Sequence, residues 1–123
     1  MEDSILFSVK KMLMIADEDD GFDIQIIMYI NSVLGILTQL GVGPKEGYTI
    51  SDASATWLDF IGDTKLLDMV KSYVPMKVKL MFDNGTSAVN NAIEQNCAEL
   101  EWRINVMVDP GFEDVEDVED GGD

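Results

Sequence analysis

Histidine is absent from this chain of 123 residues, and cysteine occurs once, at Cys97. Those two shortages exclude Ser–His and Cys–His catalysis, a disulfide within the chain, and zinc sites built from cysteine and histidine. Bases are scarce as well: 8 lysines and arginines stand against 24 aspartates and glutamates, a formal net charge of −16. A surface that grips nucleic-acid phosphates needs the opposite balance. An acidic wall can still lie beside a duplex, repelling it and letting it slide. No apolar run approaches the ~20 residues that span a bilayer. The stretch from Ile5 to Ile15 is broken by Ser8, Lys10 and Lys11, unlike the core of a signal peptide. The expected setting is a reducing cytoplasm, with Cys97 a small core residue spaced helically with Ile93 and Leu100.

What the chain has in abundance is carboxylate, and it is unevenly placed. The last fifteen residues, Asp109 to Asp123, hold eight acids, no base, and only Phe112, Val115 and Val118 as apolar side chains. Three such groups cannot offset the entropy of ordering a segment whose charges repel, so this stretch reads as an acidic arm that needs a neighbour to order it. Residues 1–108 carry the other 16 acids and all 8 bases. That length suits one domain with a real core.

Helical spacing dominates this body. Asp3 or Ser4 can cap a helix to about Ile15, with Ile5, Leu6, Val9, Met12 and Leu13 on one face. Asp17 to Asp23 is an acidic turn whose last carboxylate can cap a second helix, about Ile24 to Leu40. There Ile26, Ile27, Ile30, Val33, Leu34, Leu37 and Leu40 form a broad stripe, with Gln25, Ser32 and Gln39 as a narrow wet face. This apolar element is expected at the centre of the fold, and Gly41 is expected to end it in the left-handed conformation. A loop follows to Ala55, with a short strand expected at Tyr48-Thr-Ile50. Asp52 or Ser54 is then expected to cap a short helix carrying Trp57, Leu58, Phe60 and Ile61.

The next helix is expected to start near Asp63 or Thr64 and to present Leu67, Val70, Val74, Val78 and Met81. Pro75 lies inside that pattern and should remove a hydrogen bond and kink the helix. Met76 to Leu80 also alternates like a strand, but the helical spacing continues across the proline. Asn84-Gly85 predicts a turn, Thr86 or Ser87 a cap, and the last helix runs to about Val108. Its Ile93, Cys97, Leu100 and Ile104 make one stripe. Ala88, Ala98, Trp102 and Val106 fall roughly 180° away. A terminal helix of a small bundle needs one apolar face; a second one holding a tryptophan marks Ala98, Trp102 and Val106 as candidates for a subunit interface. The fold class expected is all-α, a small bundle of four to five helices with an extended acidic C-terminal arm.

Motifs with chemistry in them do not survive inspection. If Gly21 took the sixth place of a calcium-binding loop, the first and twelfth places would fall on Ala16 and Ile27 rather than on acids. Gly41-Val-Gly-Pro44 is too short for a phosphate loop and lacks the lysine that should follow. The carboxylate clusters lie in exposed turns or the arm, where nothing would raise a pKa for general acid catalysis. No catalytic, cofactor or metal residues are expected. The arm does carry a pattern: Phe112, Val115 and Val118 recur every third residue, separated by acidic pairs. That suits a docking peptide with three anchors, or simply a solubilising tail.

In this order and spacing, Val9-Lys-Lys-Met-Leu13, Phe22-Asp23, Tyr29-Ile-Asn31, Gln39-Leu-Gly-Val-Gly-Pro44, Trp57-Leu-Asp-Phe60, Met69-Val-Lys-Ser-Tyr-Val74, Lys77-Val-Lys-Leu-Met-Phe-Asp83 and Glu99-Leu-Glu-Trp-Arg-Ile-Asn105 carry a resemblance. The chain, from Ser4 to Val108, is similar to the head–tail connector (adaptor, or head-completion) proteins of long-tailed bacteriophages and prophages. The resemblance implies a small helical bundle without enzymatic activity, assembled as a ring beneath the dodecameric portal protein. It implies a location in the virion at the head–tail interface, a stopper or other tail-side protein as the next neighbour, and DNA passing through the channel without specific binding. The arm lies outside the resemblance. Phe112, Val115 and Val118 are expected to dock it on another chain, with portal protein the first candidate. The rival reading is a soluble acidic protein that mimics DNA and occupies the groove of a nucleic-acid enzyme.

Overall fold

Ser4 opens the first helix: its Oγ accepts from the Phe7 N–H at 3.2 Å, and the backbone beside it pairs with residues 55–57. The computed structural model describes residues 3–62, 65–82 and 88–108. Among these residues the architecture is all-α, with helices α1 (Ile5–Met12), α2 (Asp23–Gln39), α3 (Trp57–Ile61), α4 (Leu67–Phe82) and α5 (Ala88–Val108). The expected caps at Asp63, Thr64, Thr86 and Ser87, the Asn84-Gly85 turn and the arm with Phe112, Val115 and Val118 lie outside the described residues.

α1 ends three residues earlier than its apolar spacing suggests. The Ile15 N–H turns back to the Lys10 carbonyl at 2.9 Å, the Met14 N–H reaches that of Lys11 at 3.1 Å, and Met14 takes φ 63°. This is the six-to-one and five-to-two closure that normally uses glycine, here made by an exposed methionine. α2 closes in the same way with the residue the pattern favours. Gly41 has φ 94°, its N–H meets Thr38 O at 3.0 Å, and the Val42 N–H meets Leu37 O at 2.9 Å. Buried Val42 completes the motif against the core.

The core gathers Ile5, Leu6 and Val9 from α1, Ile26, Ile30, Val33, Leu34 and Leu37 from α2, Trp57 and Phe60 from α3, Val70, Val74 and Val78 from α4, and Cys97 and Ile104 from α5. The helix at its centre is α4, which packs against all four others; α2, expected there for its hydrophobicity, packs mainly on α4 and α1. Apolar content marks how much of a helix can be buried, not how many neighbours bury it. α4 runs unbroken through buried Pro75, so the strand-like alternation of Met76 to Leu80 is not realised. Packing against the four other helices holds α4 in place despite the one bond that proline removes.

Two local expectations are corrected. Tyr48 to Ile50 forms no strand. Instead the Asn31 side chain on α2 grips this segment, with the Ile50 N–H donating to its Oδ1 at 2.8 Å and its Nδ2 donating to Ile50 O at 3.1 Å. One amide thus does the work of a neighbouring strand. The cap of α3 is neither Asp52 nor Ser54, which are tied to each other in a turn. It is Thr56, paired with Asp59 in a reciprocal capping box.

Candidate interaction surface

α5 lies with one face in the core and the other open. Cys97 and Ile104 are buried and Ile93 and Leu100 partly so. A polar tether holds the helix against α4: the Tyr73 hydroxyl donates to Glu101 Oε2 at 2.6 Å, and Lys77 Nζ lies 3.4 Å from the same oxygen. Burial first, then the hydrogen bond to Glu101, pushes the Tyr73 pKa well up. Burial likewise pushes the Cys97 thiol up to about 11, so it is protonated and unreactive at neutral pH. On the opposite side Ala98 is exposed, Val106 is half-buried, and Trp102 is 66% exposed. Beside them Arg103 and Glu99 pair across one helical turn at 2.6 Å. The three candidate interface residues therefore sit together on a face that the chain's own bundle leaves open.

A second open apolar surface was not expected. The outward row of α2, expected to be narrow and wet, contains Ile24 and Met28, 79% and 64% exposed. Phe22 adds to it, its ring edge-on to Phe82 with centroids 5.5 Å apart. The signal was present, since Ile24 and Met28 are four residues apart, but the richer stripe beside them masked it.

The turn before α2 is organised by Lys10, one of the residues that break the apolar stretch from Ile5 to Ile15. Lys10 is fully buried. Its Nζ donates to the carbonyls of Asp17 at 3.0 Å and Asp19 at 2.8 Å, and it lies 2.8 Å from Asp23 Oδ1 as an ion pair without hydrogen-bond alignment. Asp23, expected as the cap of α2, is instead its first residue, and the Phe22 that precedes it offers no side-chain cap. The acidic turn thus wraps an ammonium group supplied by the chain itself.

Where the described chain ends, Val108 packs on Gly41 so closely that a Cβ there would lie 2.6 Å from its Cγ1. The cleft beside them, about 420 Å³, is lined by Val42, Pro44, Phe60 and Leu66. Its titratable residue, Asp59, is engaged in the capping box of α3. No described helix is long and apolar enough to cross a membrane. The arrangement offers open apolar helix faces and no convergent set of reactive groups among the described residues.

Set against known families, residues 5–111 match the model of a family described as phage connector protein. No curated protein and no solved structure matches the chain at a significant level.

Proposed function

This chain belongs to the phage connector protein family, and on that premise we propose that it is a ring subunit seated beneath the portal protein, extending the DNA channel toward the tail. Membership points to a structural, non-enzymatic component of the virion, joining head to tail. The finer reading rests chiefly on Trp102. A tryptophan left 66% exposed on the outer face of a helix whose inner face is core belongs against a partner. We assign Ala98, Trp102 and Val106 to the contact between neighbouring subunits. Phe112, Val115 and Val118 are assigned to anchoring the arm on an adjacent chain of the junction.

The channel wall on this reading is acidic. Lys77 is engaged with Glu101 and Arg103 with Glu99, which blunts two of the few positive charges that could hold phosphate. Native mass spectrometry of the full chain, alone and with portal protein, tests the assembly. A closed ring, or a ring formed on portal, is expected. Trp102→Ala should weaken self-association by about 2 kcal/mol or more while leaving the helical fold intact. A chain that remains monomeric in both conditions contradicts the reading. So does a Trp102→Ala variant whose circular dichroism melts far earlier, which would place Trp102 in the core.

A further inference from the structure

Between α1 and α4 runs an open groove of about 960 Å³. Its apolar lining comes from Phe7, Met12, Ile15 and Pro75. Two exposed lysines line it as well, Lys11 from α1 and Lys71 from α4, against one aspartate, Asp17. In a chain of net charge −16 with only 8 bases, a groove with more bases than acids is out of character. Its chemistry is the complement of one segment of the same sequence. The arm offers Phe112, Val115 and Val118 as apolar anchors, separated by Glu113-Asp114 and Glu116-Asp117. We propose that the α1–α4 groove is the receptor for the C-terminal arm of the neighbouring subunit, so that each ring member clasps the next.

The geometry favours a neighbour over the chain's own arm. Val108 lies against Gly41, at the C-terminal end of α2. The Ile15–Asp17 end of the groove leads into the turn at the opposite end of that helix. The 17 residues of α2 separate these ends by about 26 Å, whereas the four residues from Val108 to Phe112 reach at most ~14 Å. A subunit cannot seat its own Phe112 at that end, so a fit that begins there with the first of the three anchors needs the arm of a second copy. Single arms would hold weakly, since ordering a peptide consumes much of what three apolar side chains supply. A closed ring of arms holds through effective concentration. No residue of α5 lines the groove, so arm and Trp102 face would make separate contributions to one contact.

This inference rests on the assembly reading, and cysteine pairing separates the two. One full-length chain carries Met12→Cys, another Val115→Cys; native Cys97 is buried and does not compete. Mixed under mild oxidation, the two should give a disulfide-linked heterodimer. Adding Lys11→Glu and Lys71→Glu to the first chain should cut its yield by about tenfold, and Glu113→Lys with Glu116→Lys in the second should restore it. No heterodimer from chains that still form rings by native mass spectrometry overturns the groove proposal and spares the ring. Yields indifferent to the lysine reversals overturn it as well. So does a chain bearing both cysteines that links only within itself on dilution, or an arm that crosslinks only to added portal protein.

Discussion

Lys10 shows what one residue can decide. Its ammonium group is out of water, held by two backbone carbonyls of the turn that follows α1 and by the Asp23 carboxylate at the start of α2. Removing it strands those acceptors among themselves, and an uncompensated buried group costs more than the net worth of the bonds it made. Lys10→Met should lower stability by about 2–4 kcal/mol in chemical denaturation. Amide exchange should rise first across residues 16–23. A variant as stable as the wild type would mean the acidic turn orders without its clasp.

Cys97 and Tyr73 make a second prediction at the same scale. Both groups have folded-state pKa values above their ordinary ones, chiefly through burial, with Cys97 moved from 9.0 to about 11. For an acid whose folded pKa is raised, the folded state keeps the proton longer than the unfolded chain does. The associated stability is complete below the unfolded pKa and is lost as pH rises through the folded one. Stability should therefore be insensitive to the thiol up to about pH 9 and should decline from there toward 11. The melting temperature followed across that range, with and without Cys97→Ala, checks it. A Cys97→Ala profile that falls as steeply as the wild type assigns the loss to Tyr73 and other groups.

At the level of elements, much was legible because helix signals are local. The apolar spacings of α2, α4 and α5, the left-handed close at Gly41 and the continuity of α4 across Pro75 all follow from residues within a few positions of one another. What was hidden depends on partners distant in sequence. Lys10 looks like any other surface lysine until the turn carbonyls close on it. The place of α4 at the centre comes from packing, which hydropathy does not rank. The segment around Ile50 reads as a strand because its extended backbone is real, but its partner is the Asn31 side chain rather than another strand. Asn31→Ala should cost about 1–3 kcal/mol, since it leaves the Ile50 N–H and carbonyl unsatisfied in a partly buried site. The Ile50 amide should exchange much faster while those of α5 change little. Unchanged protection at Ile50 would show that the loop is held by packing alone.

The placement of the candidate face on its helix was legible to a similar degree. Ala98, Trp102 and Val106 do share the open face of α5, because a periodicity of 3.6 places them there whatever the rest of the chain does. The exposed pair Ile24 and Met28 and the basic lining of the α1–α4 groove were not legible. The first was overshadowed by a richer stripe on the same helix. The second exists only once two helices meet.

On the scale of the whole molecule, the chain is a small core with unfinished surfaces. It buries enough to fold, yet leaves a tryptophan, an apolar row on α2 and a groove lined by two lysines open. On the proposed function, such a subunit is one place in a closed ring, with an acidic wall past which DNA can slide. Electron cryomicroscopy of DNA-filled heads carrying this protein tests that most directly. The expected image is a closed ring of this chain directly below the portal, with Trp102 at the contact between subunits and carboxylates facing the lumen. Heads that lack such a ring, or a ring whose Trp102 faces solvent and whose lumen is lined by Lys77, Lys79 or Arg103, would contradict it.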